Sequence, residues 1–141
     1  MRHSKGKGPE ILRGQRNSKR AAMPAEPSAN GVLTKTDQGI FISDPTDLVV
    51  GGVLRDWGEW GADTLQGLRG LIGPESRLLI LGAHIGALLV PLAKCCREVV
   101  AYEANPKTFR LLIKNIELNR LENCQAFNLA AGEKGGEIRT D

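Results

Sequence analysis

The stretch from residue 78 to residue 106 constrains the fold of this chain more than any other feature. Its sequence, LLILGAHIGALLVPLAKCCREVVAYEANP, opens with an aliphatic run at 78–81, which is typical of a parallel strand buried on both faces. A glycine-containing turn, a helix and a second strand at 98–102 follow, and Glu103 comes directly after that strand. Because the carboxyl ends of parallel strands meet at one edge of a sheet, we expect Glu103 to lie beside the turn.

The turn itself indicates a ligand site. Small residues at 82–86 let a ligand approach the backbone closely, and a helix predicted over about 85–96 directs free N–H groups toward the same place. A carboxylate at Glu103 can accept hydrogen bonds from both hydroxyls of a ribose. The combination predicts a site for an adenosine-containing cofactor. The alternative is a plain βαβ unit with a tight turn and no ligand.

The identity of the cofactor follows from two residues of the turn. The dinucleotide fingerprint requires glycine at the positions of His84 and Ala87, so the sequence favours S-adenosylmethionine over NAD. No G-K-[ST] element follows the turn, which argues against a phosphate-binding P-loop. A different Rossmann-type enzyme, such as a dehydrogenase, remains a third possibility that preferential binding of NAD would support.

The rest of the chain extends the same α/β pattern. Asn105 and Pro106 predict the start of a helix, and a third strand is expected at 124–128. The predicted fold is a Rossmann-like doubly wound parallel sheet, truncated after about three core strands. The run at 78–81 would then be an exposed apolar edge. We therefore expect a gene fragment, an incomplete reading frame, or a domain that a partner or a missing segment completes, without an acceptor site of its own.

The charge is divided unevenly along the 141 residues. Residues 1–22 carry a net charge of +6 and the remainder carries −3, for a total of +3. Residues 1–37, rich in Lys, Arg, Gly, Ser and Pro, are predicted to be a disordered basic arm, and residues 38–141 a partial domain that contains the cofactor-binding half of the fold. The arm is compatible with nucleic-acid contact, with an organelle transit peptide, with a solvated tail, or with translation that starts at Met23.

The composition of the chain predicts where the protein is located in the cell and which partners it binds. The folded part is mildly acidic, so nucleic acid is predicted to be an unlikely partner. Three cysteines without a CxxC spacing, and an N-terminus without an apolar signal region, predict reduced thiols and a cytoplasmic protein. No apolar run approaches the roughly 20 residues of a membrane span, so no membrane contact is expected. No metal ligands are predicted.

Several motifs together resemble the FkbM family of S-adenosylmethionine-dependent methyltransferases. They are GIFISDPTD, WGEW, LGAHIGALLVPLA, VVAYEANP with the helix after it, NIELN, and NLAAGEKGGEI, and they span residues 39–139. The resemblance implies a class I methyltransferase fold with S-adenosylmethionine as the cofactor. It also implies methyl transfer to a hydroxyl oxygen of a sugar or another small metabolite. The alternative is a non-catalytic cofactor-binding fragment or a regulatory relic of such an enzyme.

The resemblance also implies roles for individual residues. Gly82, Ala83 and Gly86 would line the methionine part of the cofactor, and Glu103 would bind the ribose. Ala104, Asn128 and Ala130 would form the adenine side of the site. Glu59 would occupy an acidic position that recurs near the site in the family. The chain departs from the family at Ile80, where an acidic residue is usual, and at His84, where asparagine is common. We interpret His84 as filling the turn, and no general base is assigned.

Overall fold

The computed structural model describes residues 26–28, 31–133 and 135–136, and for 26–28 it describes the backbone alone. Six strands and four helices follow one another along this part of the chain. In chain order they are β1 (Glu26–Ser28), β2 (Gly31–Lys35), β3 (Ile40–Ser43), α1 (Val50–Trp57), α2 (Ala62–Arg69), β4 (Arg77–Leu81), α3 (Leu89–Ala93), β5 (Glu98–Tyr102), α4 (Pro106–Leu118) and β6 (Cys124–Phe127).

The predicted parallel sheet is present. Strands β4, β5 and β6 lie in that order, and both pairings are parallel. The register places Leu81 opposite Tyr102, and Tyr102 opposite Phe127, so all three strands end at one edge. The α/β prediction is therefore confirmed, and the turn after β4 lies beside the end of β5, as expected.

Only one face of the parallel sheet is covered by described residues. Val99 and Ala101 on that face are fully buried against the core formed with α3 and α4. On the opposite face, Leu79 is 64% exposed and Leu81 is 57% exposed. The prediction of a β4 strand buried on both faces is therefore wrong for the described residues, and the exposed apolar edge that we also expected is present.

A second, antiparallel sheet precedes the parallel one. It has the order β1-β2-β3, with Leu33 opposite Ile42 and Thr34 opposite Phe41, whose side chain is fully buried in the core. Strand β2 lies inside residues 1–37, so the prediction of disorder is wrong for residues 31–37. Residues 1–25, including most of the predicted basic arm, lie outside the described residues.

Two asparagines attach this antiparallel sheet to α4. Asn115 and Asn119 are one helical turn apart, so their side chains lie on the same side of the helix. The side chain of Asn115 bonds both the N–H and the carbonyl of Ile42, at 2.6 and 3.0 Å, and that of Asn119 bonds both groups of Ile40, at 2.9 and 2.6 Å. The two side-chain amides lie along the edge of β3 that does not pair with β2. They bond the backbone N–H and carbonyl groups of β3 that a further strand would otherwise bond.

Two carboxylates before α1 bond nearby groups of the chain. The side chain of Asp44 accepts hydrogen bonds from the N–H and the hydroxyl of Thr46. Asp47 accepts from the N–H groups of Val49, Val50 and Gly51 at 2.8–3.1 Å, so it is the carboxylate that satisfies the helix start. Pro45 and Thr46 form a turn before the helix, which begins at Val50.

Asp44 also forms an ion pair with Lys107 at the start of α4. The bond to Lys107, with further bonds from Thr46, holds the pKa of this carboxyl well below its usual range. Such a carboxylate stabilises the fold above its unfolded-state pKa of about 4. That contribution is lost as the pH falls below 4 toward the depressed value.

We expect Asp44→Asn to lower the free energy of unfolding at pH 7 by a few tenths to about 1 kcal/mol, because the Lys107 partner is largely exposed. The difference between the variant and the wild type should shrink as the pH falls below 4 toward the depressed pKa of Asp44. Urea unfolding at a series of pH values measures this difference. Lys107→Met should reproduce the same change, and a difference that persists unchanged at pH 2 would contradict the assignment.

Candidate cofactor site

The turn after β4 is held against the end of β5 by main-chain hydrogen bonds. The N–H groups of Gly82 and Ala83 both donate to the carbonyl of Tyr102, at 2.9 and 3.0 Å. The N–H of Gly86 donates to the carbonyl of Ala83 at 2.9 Å. These three N–H groups are therefore used inside the protein, and they are satisfied without a ligand.

Glu103 lies at the centre of the site. The residue is only 8% exposed, and its two carboxylate oxygens accept hydrogen bonds from different backbone segments. Oε2 accepts from the N–H of His84 in the turn at 2.8 Å, and Oε1 accepts from the N–H of Asn105, the residue before α4, at 2.9 Å. Each oxygen has a second lone pair, so the carboxylate can still receive the two hydroxyls of a ribose. The residues present fit the ribose end of an adenosine cofactor.

The small residues of the turn separate into two groups. Gly82 is exposed with a φ of +74°, and a Cβ built there meets no atom within 4 Å. Ala83 and Gly86 are buried, and a Cβ on Gly86 would lie 2.9 Å from Cδ1 of Leu112. Gly82 is therefore the position at which a ligand can approach the backbone, whereas Gly86 is needed for packing. A direct role of Ala83 and Gly86 in lining the cofactor stays a prediction.

The helix after the turn is shorter than predicted. It was expected over about 85–96, but α3 covers only Leu89–Ala93, and all five of its residues are buried. Pro91 lies inside it, where it cannot donate a backbone hydrogen bond. The positively charged end of a long helix therefore contributes less to this site than the sequence indicated.

The side chain of Asn128 is hydrogen-bonded to the residues that follow β5. Its Nδ2 donates to the carbonyls of Glu103 and Ala104, at 2.8 and 3.0 Å. These bonds connect the residues after β6 to those after β5, at the edge where the ligand is expected. The proposed adenine contacts of Ala104 and Asn128 stay predictions.

An open pocket of about 290 Å³ adjoins the site on the uncovered face of the sheet. Ala130 contributes to its wall, as do Leu81 and Tyr102, which directly precede Gly82 and Glu103. The ring of Tyr102 stacks on that of Phe127, with centroids 5.4 Å apart. The pocket lies next to Glu103, although Glu103 is not part of its wall.

Glu59 lies in the exposed loop between α1 and α2. The loop is anchored at Trp60, whose N–H and carbonyl are both bonded by the side chain of Gln38, and Gly61 packs near Leu88. No contact among the described residues joins Glu59 to Gly82 or Glu103. Its functional role stays a prediction.

Cys124, the first residue of β6, and Cys96, just before β5, lie at the edge of the sheet opposite the turn. Burial raises the pKa of Cys124 to about 11, and it also raises that of Cys96, so both thiols are protonated at neutral pH. His84 adopts a φ of +51°, and its Nδ1 is buried without a hydrogen-bond partner among the described residues. Within the same residues, no cluster of His, Cys, Asp or Glu is arranged to hold a metal ion.

Asn115 is the residue that sequence reasoning missed. Besides bonding Ile42, its Nδ2 donates to the carbonyl of Ile85, inside the turn, at 2.8 Å. The available signal was a pair of asparagines four residues apart beside the apolar stripe of the helix at 112 and 116. Their partners lie 30 to 79 residues away in the sequence, so the pattern did not identify the contacts.

Comparison with known proteins supports the class indicated by the fold and the turn. Residues 68–133 match the family model described as the TRM5/TYW2 methyltransferase domain. Those residues include the turn, Glu103 and Asn128. The prediction of a methyltransferase domain is confirmed, but the matching family is not FkbM, so the FkbM assignment stays a prediction.

Solved structures agree on the fold. TYW2 from M. jannaschii, in complex with AdoMet, aligns with a TM-score of 0.58 at 23% identity over 74% of this chain and 45% of that one. TYW2 from P. horikoshii, in complex with MeSAdo, aligns with a TM-score of 0.56 at 22% identity over 74% of this chain and 38% of that one. Trm5b from Pyrococcus abyssi aligns with a TM-score of 0.56 at 19% identity over 72% of this chain and 29% of that one. The described residues thus have the class I methyltransferase fold.

A curated relative matches in sequence. Ribosomal RNA small subunit methyltransferase A of Desulforapulum autotrophicum is 32% identical over 57 residues, which is 40% of this chain and 20% of that protein. The chain spans less than half the length of each of the relatives named here. The matches to the TRM5/TYW2 family and to a ribosomal RNA methyltransferase contradict two predictions, that the acceptor is a small molecule or sugar and that nucleic acid is an unlikely partner.

No helix among the described residues has the length and apolar character needed to cross a lipid bilayer.

Proposed function

We propose that this chain carries the cofactor-binding part of an S-adenosylmethionine-dependent methyltransferase that acts on RNA, in the first place on transfer RNA. One observation carries the proposal: the buried Glu103 carboxylate, held by the N–H groups of His84 and Asn105 beside the exposed Gly82, lies inside the segment that matches a methyltransferase domain. The class of acceptor is supported by the TRM5/TYW2 match and by the ribosomal RNA methyltransferase relative.

In this proposal the protein's own groups bind and orient. Glu103 receives the ribose hydroxyls, and its bonds to two backbone segments keep it from moving when they bind. The exposed backbone at Gly82 allows close approach of the cofactor. The bound cofactor supplies an activated methyl group on a positively charged sulfur. Positioning of that group against an acceptor atom is the main contribution expected of such a site.

The acceptor is tested with the full chain and tritium-labelled S-adenosylmethionine. Transfer RNA, ribosomal RNA and a mixture of sugars are offered in parallel, with Glu98→Ala as a variant that leaves the site intact. Against the sequence-based expectation that the chain lacks an acceptor site of its own, the proposal predicts label in RNA, more in transfer RNA than in ribosomal RNA, with equal amounts for the wild type and the control. Label in the sugar fraction alone, or labelling of RNA that is unchanged by Glu103→Ala, would contradict the proposal.

We further propose a cytoplasmic location. It rests on the three cysteines, Cys95, Cys96 and Cys124, which are all free thiols in the structure. Fractionation of cells that express the tagged chain tests it directly.

A further inference from the structure

Asn115 connects two parts of the molecule, strand β3 and the turn at 82–86. Its side chain is fully buried, and every hydrogen-bonding atom on it that the structure describes is used. Oδ1 accepts from the N–H of Ile42, while Nδ2 donates to the carbonyls of Ile42 and Ile85. The assignment of oxygen and nitrogen follows from the partners, since one is an N–H donor and the others are carbonyl acceptors.

The carbonyl of Ile85 lies in a backbone segment with left-handed dihedral angles on both sides. His84 and Gly86, on either side, have φ values of +51° and +88°, in the left-handed region. A non-glycine residue in that region is strained, so the conformation persists only if neighbouring groups hold it. Glu103 holds the N–H of His84 from one side, and Asn115 holds the carbonyl of Ile85 from the other.

We propose that Asn115 is a positioning residue for the cofactor site: it fixes the turn at 82–86 and couples the turn to the antiparallel sheet through Ile42. The expected effect of Asn115 on cofactor binding rests on the proposed function. The structural part of the proposal, that Asn115 sets the conformation of the turn, does not depend on a bound cofactor.

Asn119 provides a matched control on the same face of the same helix. It makes the equivalent pair of bonds to the N–H and carbonyl of Ile40, and its Nδ2 also donates to the carbonyl of Asn115. None of the hydrogen bonds that the Asn119 side chain makes among the described residues reaches the turn. Removing either side chain weakens the attachment of β3 to α4, but only the loss of Asn115 frees the carbonyl of Ile85.

The experiment compares Asn115→Ala with Asn119→Ala in the full chain by hydrogen exchange and by titration with S-adenosylhomocysteine. Loss of a buried bond should raise exchange of the amides at 84–90 about tenfold in Asn115→Ala and less than about twofold in Asn119→Ala. Affinity for S-adenosylhomocysteine should fall about tenfold in the first variant and stay within about twofold in the second. Thermal unfolding confirms that both variants are folded at the temperature used.

The outcomes separate the two proposals. If both variants change exchange in the turn equally, or neither changes it, Asn115 has no positioning role. If the wild type does not bind S-adenosylhomocysteine, the proposed function is overturned, and the exchange data still decide the role of Asn115. Should Asn115→Ala fail to fold, Asn115→Ser takes its place, because its hydroxyl is too short to replace both bonds of the amide, and the same outcomes apply.

Discussion

Glu103→Ala should abolish measurable cofactor binding. The carboxylate is expected to accept two hydrogen bonds from the ribose, and bonds to a charged acceptor contribute about 1.5–3 kcal/mol each, so the affinity should fall at least about 100-fold. The substitution also leaves the N–H groups of His84 and Asn105 without their partner. We therefore expect a loss of about 2–4 kcal/mol in the free energy of unfolding as well.

Glu98→Ala is the control for this substitution. Glu98 opens the same strand, β5, and is paired with the exposed Arg77 at 3.3 Å, at the opposite end from the turn. Its removal should change the affinity for S-adenosylhomocysteine by less than about twofold and the stability by less than about 1 kcal/mol. Calorimetric titration and urea unfolding measure both quantities. Equal losses in the two variants would mean that Glu103 acts only through general stability.

Gly86→Ala should be the most destabilising glycine substitution in the turn. The residue has a φ of +88°, and a Cβ would lie 2.9 Å from Cδ1 of Leu112. Leu112 is fully buried, so its side chain cannot turn aside without displacing other core residues. Backbone strain and overpacking together should lower the free energy of unfolding by about 2–4 kcal/mol.

Gly82→Ala separates strain from packing. Gly82 has a similar φ of +74°, but a Cβ there meets no atom within 4 Å, so only the backbone cost of about 1–2 kcal/mol remains. Urea unfolding of the two variants, followed by circular dichroism, gives the difference. If Gly82→Ala were as destabilising as Gly86→Ala, the packing role assigned to Gly86 would be wrong.

The parts of the fold that the sequence predicted well are those with local signals. Strand β5 occupies the predicted residues 98–102, and Asn105 caps α4 by accepting from the N–H groups of Lys107 and Thr108. Glu103 lies beside the turn because parallel strands place successive carboxyl ends at one edge. These features depend on composition and spacing over a few residues.

The parts that were missed depend on contacts between distant residues. Strand β2 is a five-residue strand in a region rich in glycine, serine and proline, and it is ordered by pairing with β3 rather than by its own pattern. Asn115 and Asn119 carry no signal of their partners because those partners are backbone groups of β3. The acceptor was misjudged because the sequence at 78–106 specifies cofactor binding, and nothing in it describes the second substrate.

The most direct test of this account is calorimetric titration of the full chain with S-adenosylhomocysteine and, in parallel, with NAD. Glu103 and the exposed Gly82 should give saturable binding of S-adenosylhomocysteine in the micromolar range and no measurable binding of NAD. Binding of NAD in preference, or binding of neither ligand by a chain that circular dichroism shows to be folded, would contradict the account.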